Sequence, residues 1–288
     1  MKLHIVDGTY ELFRAHFSQP TRLAPDGMHV SAIRGLIISL MALINDENIT
    51  HIAVAFDSSI KSFRNEIFSK YKDGSDTPEE LLMQFPLAER VVEALGIKVW
   101  PSLDYEADDA LGSAAIKFSQ YEEVDQVVIC SVDKDLCQIV SGDVIVCLDR
   151  KNRKVFNEIE VENKFGVLPT SIPDYLGLMG DSADGIPGIP KWGSKSASAL
   201  LSRYLTIENI PNNYVLWDVK VRGAETLSRN LEENRQMAYL YKQLATIKTD
   251  VAIDEEIADL SWEGIKTQDF IQICDELGLP NLKSLINT

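Results

Sequence analysis

Histidine and cysteine are scarce in this 288-residue chain, with four of each. Cys130, Cys137, Cys147 and Cys274 form no CxxC pair, and none lies near a cluster of the histidines His4, His16, His29 and His51. A zinc site needs thiolate or imidazole ligands at close spacing, so this pattern argues against one. The thiols read as reduced and mostly buried. No run approaches the roughly 18 to 20 uninterrupted apolar residues of a membrane span. The apolar stretch before Asp7 is too short for a signal peptide, and a cytoplasmic protein is the expectation. Internal repeats are absent. With 45% hydrophobic and 25% charged residues, the composition is that of a folded protein, which excludes disorder and low complexity. The length suits one large domain or two moderate ones.

Basic residues are also few. Lysine and arginine number 28 against 44 acids, a net charge of −16. Global charge therefore does not make this chain a non-specific polyanion binder. Either the partner is not nucleic acid, or the acids are concentrated in a metal site while bases cluster elsewhere.

The order of elements favours the second view. Lys2 to Val6 reads as a short buried strand ending at Asp7-Gly8, with a helical pattern from Thr9. Apolar residues recur every three or four positions from Ser31 to Asn45, the period of a helix. His51 to Phe56 is a second strand, again ending in an aspartate, Asp57. Residues 58 to 78 lack a clean period and end in a cluster of turn formers. A helix follows from Glu79 to Leu95, then a strand at 97–100, a helix from Glu106 to Phe118, and strands at 126–131 and 144–148. Strands alternate with helices to about residue 150, which predicts a mostly parallel α/β sheet. Helices with Gly/Pro turns dominate beyond about 155, and a domain boundary is expected between 150 and 175.

Asp7, Asp57 and Asp133 each fall at or just past the carboxyl end of a predicted strand, the edge where open α/β sheets bind ligands. Glu106, Asp108 and Asp109 share the first turn of one helix, and Asp135 follows Asp133 by two. Helix capping explains one or two such acids. Three of them, matched by acids at other strand ends, form a like-charge cluster that cations must neutralise. Asp181 and Asp184 sit in Gly-Asp-Ser-Ala-Asp-Gly, which read alone is an Asx-rich turn. An oxygen-only ligand set points to Mg²⁺, with Mn²⁺ as a substitute. Two such ions about 3.5 to 4 Å apart clamp the attacking and leaving oxygens of a phosphodiester.

These segments, in this order and spacing, resemble the 5′-nuclease (flap endonuclease) family, in particular the 5′→3′ exonuclease domain of bacterial DNA polymerase I and its stand-alone relatives. The matching pieces are Val6-Asp7-Gly8 with Arg14, Ala53 to Asp57, Ser62-Phe63-Arg64 through Lys70-Tyr71-Lys72, and Tyr105 to Asp109. They continue with Asp133-Lys134-Asp135-Leu136, Gly180 to Asp184, Ile186-Pro187-Gly188 and Gly193 to Ala197. The resemblance spans nearly the whole chain and thins after about 250. It implies a PIN-like α/β catalytic domain over 1–170, with a helical arch at about 60–80. It further implies a helical region over 171–288 carrying a helix–three-turn–helix module at about 178–205. The implied activity is structure-specific 5′→3′ exonuclease and flap endonuclease cleavage of DNA near single-strand/duplex junctions, in replication and repair.

The resemblance also assigns residues. Two Mg²⁺ ions are held by Asp7, Asp57, Glu106, Asp108, Asp109, Asp133, Asp135, Asp181 and Asp184, and all nine acids are present. Lys72 matches the lysine that contacts the scissile phosphate, Arg64 a second basic contact, and Tyr71 a position where an aromatic stacks on an unpaired base. A mobile surface loop is the plain alternative for that segment. K⁺ binds through the main chain of Leu178, Met179, Pro187, Ile189 and Trp192. Arg14, Lys191, Gly193 and Lys195 join Tyr71 as DNA contacts. Implied partners are 5′-flap, nicked or overhang duplex, RNA primers, and a separate polymerase or ligase, with the chain a monomer.

Three departures stand out. Tyr71-Lys72-Asp73-Gly74-Ser75 replaces the family's Tyr-Lys-x-Asn-Arg, which weakens the phosphate grip. Lys191-Trp192-Gly193 replaces Gly-Ile-Gly; Trp192 reads as an anchor rather than a base reader. Ser131-Val132 replaces Thr-Gly, with little effect expected. Locally, residues 186–203 hold Lys191, Lys195 and Arg203 without an acid, and 60–72 hold four bases against Glu66. Two bound Mg²⁺ change −16 to about −12, so weak non-specific binding and steep salt sensitivity are expected. Rival readings are weaker. An aspartate-nucleophile phosphatase wants an acid at position 9, where this chain has Thr9. A PIN-type ribonuclease lacks the arch and the 181–203 module. A DNA-structure-binding scaffold without cleavage predicts lost carboxylates, and none is lost.

Overall fold

Five consecutive buried positions, Leu3 to Asp7, follow one accessible lysine in the first strand, the near-continuous apolar pattern of a parallel strand covered on both faces. A computed structural model describes residues 1–287 except Ile60 and Asp76, with the side chains of Glu47 and Asn287 also outside the description. The expected arch therefore includes two positions, 60 and 76, outside the described residues.

The elements run β1 (Lys2–Asp7), α1 (Gly8–Ser18), α2 (Ser31–Glu47), β2 (His51–Asp57), α3 (Phe63–Ile67), α4 (Glu79–Leu82), α5 (Phe85–Ala94), β3 (Lys98–Ser102) and α6 (Ala107–Phe118). They continue with β4 (Gln126–Cys130), β5 (Ile145–Asp149), β6 (Lys154–Phe156), α7 (Glu158–Phe165), α8 (Ile172–Met179), α9 (Ser194–Tyr204), α10 (Ala224–Ala245) and α11 (Thr267–Glu276). They fall into two units. The first comprises residues 1–60, 74–131 and 249–288; the second comprises 61–73 and 132–248.

In the first unit β3, β2, β1 and β4 lie in that order, all parallel, with Leu3 opposite His51 on one side and Val127 on the other. β1 is thus central, and the strand order reverses beside it. Nine of the twelve residues of α6 are buried, most of them Ala, Gly or Ser, and such small side chains let a helix lie close on a sheet. The helix expected over 79–95 is two helices. Pro86 has no N–H to donate to the Leu82 carbonyl, so α4 stops and α5 restarts with the proline in its first turn. Buried Gln84 at the break uses both ends: Oε1 accepts from Ile33 N at the start of α2, and Nε2 donates to Glu80 O.

Residues after 249 complete this unit. Lys117 Nζ donates to the Ile253 and Glu255 carbonyls, Trp100 Nε1 to the Glu255 carboxylate, and Trp262 Nε1 to Leu95 O. Phe270 in α11 is wholly buried.

The second unit pairs β5 with β6 antiparallel, Cys147 opposite Phe156; the short, accessible β6 has no apolar run to signal it. Helices α8 and α9 are joined by the tight segment 180–193. Gly177 of α8 lies so close to α10 that a Cβ would meet Lys242 N at 2.8 Å. Asp174 is 1% exposed; its Oδ1 accepts from Ile207 N at 2.7 Å and meets Lys242 Nζ at 2.9 Å. All four cysteines are free and buried. Among the described residues no helix is long and apolar enough to cross a membrane.

Phe270→Ala removes a fully buried ring from the first unit. The expected loss in urea denaturation is about 3 to 5 kcal/mol; a loss below about 1 kcal/mol would show that the closing segment adds little to that core.

Candidate active site

In the first unit the acids stand at strand ends because the strands deliver them there. Asp7 ends β1 and caps α1: Oδ1 accepts from Tyr10 N at 2.8 Å, and Oδ2 accepts from Ser131 Oγ at 2.8 Å just past β4. Ser131 therefore fixes a candidate ligand, a role its sequence position did not reveal, and the hydroxyl of the family's threonine is what this chain retains. Asp57 ends β2; its Oδ1 accepts from Ala107 N at 2.8 Å at the start of α6, while its own N–H donates to Thr9 Oγ1. Glu106 precedes α6, and its N–H donates to Asp109 Oδ2 at 3.0 Å. Asp109 is wholly buried and Asp108 half-buried. Capping and ligation are thus compatible here, because a carboxylate has more acceptor sites than these bonds occupy.

In the second unit Asp135, Asp181 and Asp184 are all buried, with ligand oxygens within 4.8 Å of one another. Asp133 is exposed, and its Oδ1 accepts from Asp135 N at 2.8 Å, which aims Asp135 inward. Asp181 and Asp184 are brought together by a tight turn closed by paired bonds between Asp181 and Ile186. Gly185 permits it at φ +71°, where a Cβ would stand 2.4 Å from Lys70 O. Lys134 Nζ pairs with Asp181 Oδ2, and Lys72 Nζ with Asp184 Oδ1 at 2.9 Å. Asp135 Oδ1 is buried with no hydrogen-bond partner. That orphaned oxygen, beside two acids and with no nitrogen or sulfur ligand, fits a hard cation such as Mg²⁺ or Mn²⁺.

Burial first, then the charges of Asp133, Asp184 and Asp181, pushes the Asp135 carboxyl well above its ordinary value. Burial likewise raises Asp184, against the pull of Lys72. Burial alone would lower Lys134, but its bond to Asp181 leaves it raised.

The basic and aromatic candidates are placed differently. Arg64 is 2% exposed; Nε donates to Leu244 O and Nη2 to Thr246 O, so its guanidinium binds carbonyls at the end of α10. Tyr71 is 4% exposed with Lys72 Nζ over its ring. Lys72 is anchored through its backbone N–H to Asp184 O. Arg14 Nη2 donates to Glu11 Oε2 and Ser39 Oγ. Lys191 and Lys195 are exposed at the start of α9. Lys191 adopts φ +68°, the left-handed region that favours glycine and costs a lysine strain. Trp192 is buried, its Nε1 donating to Leu227 O. Of the potassium candidates, Leu178 O accepts from Ile189 N and Ile189 O from Trp192 N, which draws the loop carrying Met179 and Pro187 together.

Acids at the ends of a parallel sheet, and an oxygen-only cluster built from the turn carrying Asp135 and the turn between α8 and α9, occur in a chain of a definite class: a resolvase-like α/β domain with a helical SAM-type fold after it. Residues 2–166 match the family described as 5′-3′ exonuclease, N-terminal resolvase-like domain, and residues 167–268 match its C-terminal SAM fold. The chain belongs to the 5′-3′ exonuclease family. It is 37% identical to a 5′-3′ exonuclease of Buchnera aphidicola subsp. Schizaphis graminum, covering 87% of each chain. It is 35% identical to DNA polymerase I of Bacillus caldotenax across 96% of its own length, but spans only 31% of that protein. In fold it is similar to T5 5′-exonuclease with zinc bound (TM-score 0.69, 17% identity, 96% of this chain and 100% of that one). It is also similar to the catalytic core of Rad2 in complex with DNA substrate (TM-score 0.64, 13% identity, 98% and 90%).

A carboxyl whose folded value is raised binds protons more tightly folded than unfolded. Asp135 therefore costs the metal-free protein stability as pH rises above the ordinary carboxylate range of about 4, and costs nothing well below it. Asp135→Asn is expected to stabilise the chain in EDTA at pH 7.5 by on the order of 1 kcal/mol or more, with the gain vanishing near about pH 3.5. Thermal melts across pH check this, and a destabilised variant at pH 7.5 would contradict it.

Proposed function

We propose that the chain is a structure-specific 5′→3′ exonuclease and flap endonuclease that hydrolyses DNA phosphodiesters near single-strand/duplex junctions, with divalent ions bound by its acidic residues. The observation that carries this reading is the buried Asp135–Asp181–Asp184 cluster with its orphaned oxygen, in a chain of this family. Divalent ions of the Mg²⁺ kind, when bound, supply positive charge to the attacking and leaving oxygens.

The chain's own groups supply position. Asp7 and Asp57 are held by backbone N–H groups and, for Asp7, by the Ser131 hydroxyl, so neither must reorder to act as a ligand. Lys72 is the phosphate contact in this reading, its ammonium standing at the cluster through Asp184. Arg64 contributes by tying its segment to the end of α10, and Tyr71 stacks on a base only if its ring leaves the interior. Arg14, pinned by Glu11 and Ser39, presents a fixed guanidinium to phosphate. Lys191, Gly193 and Lys195 at the start of α9 serve duplex DNA, with helix N–H groups facing phosphate. Potassium at the 178–192 carbonyls, RNA primers as substrates, a monomeric state, cytoplasmic action, and a separate polymerase or ligase complete the proposal.

The test is a 5′-flap duplex labelled on the flap, with Mg²⁺ or EDTA, beside blunt duplex and single strand. Short 5′ products at the junction, in Mg²⁺ alone, are expected. Asp133→Ala and Asp184→Ala should abolish them with the fold intact, and Lys72→Ala should slow cleavage about 100-fold or more. Flap binding in Ca²⁺ with no cleavage in Mg²⁺ would instead favour a scaffold. Lys191→Gly, which relieves the left-handed backbone, should raise unfolding stability by about 1 kcal/mol and flatten the salt dependence of flap binding. Unchanged salt dependence would remove Lys191 from the DNA contacts.

A further inference from the structure

Lys134 has no task in the proposed reaction, yet it stands at the centre of the second unit's charge balance. It immediately precedes Asp135, so one short turn supplies both a candidate ligand and a cation. Its ammonium pairs with Asp181 Oδ2 on the turn that follows α8, and Asp181 is 5% exposed. Lys72 covers Asp184, whereas Asp135 takes neither lysine and keeps its orphaned oxygen. Among the described ion pairs, two ammoniums face the three buried carboxylates of the cluster. The contrast with Asp174 is informative: that buried acid, outside the cluster, has one oxygen bonded to both a backbone N–H and an ammonium. Part of the positive charge at the Asp135 cluster comes from a side chain able to swing away, since Lys134 is 30% exposed.

We propose that Lys134 is a displaceable surrogate cation: its ammonium holds Asp181 in the metal-free protein and yields that carboxylate when a divalent ion enters the Asp135–Asp181–Asp184 cluster. The inference rests on the reading of that cluster as a divalent-ion site. A buried carboxylate left without a cation is strongly unfavourable, so the pair keeps the empty cluster folded. The same pair must break when the ion enters, so whatever it adds to the metal-free chain is subtracted from ion affinity. Lys134 would thus set how much free ion is needed to load the cluster, through an interaction that vanishes in the loaded state. Lys72 differs in that its backbone is also tied to Asp184 O, so its side chain is released beside the cluster rather than away from it.

The experiment uses the full chain and Ca²⁺ alone, read by calorimetric titration and by thermal melts in EDTA and in saturating Ca²⁺, without any cleavage assay. Lys134→Met keeps the aliphatic stem and removes the charge. It is expected to melt lower than wild type in EDTA, to match wild type in saturating Ca²⁺, and to bind Ca²⁺ about tenfold more tightly. Equal melting deficits in both conditions would make the pair a permanent strut. Tighter binding with no deficit in EDTA would make Lys134 a bystander charge. Either result overturns the inference, as does unchanged affinity. Asp135→Asn separates the two levels: if it binds Ca²⁺ as wild type does, the cluster is not the ion site and the underlying reading fails first. The wild-type chain gives a check that needs no unstable variant. The ζ-ammonium NMR signal of Lys134, assigned by its loss in Lys134→Arg, should be protected from exchange in EDTA and lose that protection in Ca²⁺. Retained protection overturns displacement.

Discussion

Three carboxylates whose oxygens lie within 4.8 Å of one another repel strongly where water screens them little, and the second unit is organised to contain that repulsion. The turn from Asp181 to Ile186 is closed on itself by two backbone bonds, which hold Asp181 at its start close to Asp184 within it. Gly185 is required because a side chain there would strike the Lys70 carbonyl. Lys70 in turn belongs to the segment that carries Lys72 back to Asp184. Removing the charge would relax each of these local demands, which is why their coexistence points to use rather than to stability.

In the first unit the acids bond to the backbone. Asp7 and Asp57 accept from N–H groups at helix starts, and Asp7 also from the Ser131 hydroxyl. Backbone N–H groups cannot be displaced in the way an ammonium can. The bonds that orient Asp7 and Asp57 come from the fold itself, whereas Asp181 and Asp184 each also pair with a lysine side chain.

The strand-end acids were legible because β1 and β2 are short apolar runs that end in aspartate, a pattern needing no tertiary knowledge. The break between α4 and α5 was also written in the chain, as Pro86, but the apolar period across it masked the missing N–H. Other features left no local trace. Arg64 and Tyr71 have the look of exposed arch residues, yet both are buried, and Arg64 bonds to carbonyls about 180 residues away, Leu244 and Thr246. The accessible strand β6 has no apolar alternation to mark it. Ser131 could be seen only as a departure, since its bond to Asp7 joins residues 124 positions apart. Local periodicity reports burial of a face; it does not report which distant partner covers it.

The first unit is discontinuous, and this bears on how the protein reaches its native state. Lys117 finds its two backbone acceptors 136 and 138 residues later in the chain, and Trp100 finds Glu255 after 155. During synthesis the four parallel strands emerge long before the segment that covers this side of β3 and α6. The second unit, made mostly of one continuous stretch, has nearly all its partners in hand by residue 248. A nascent chain therefore carries an unfinished sheet while the later unit closes, so the part made first is the part finished last. Division at residue 166, where the two family matches meet, would separate the sheet from its own closing strap and residues 61–73 from the helices that hold them.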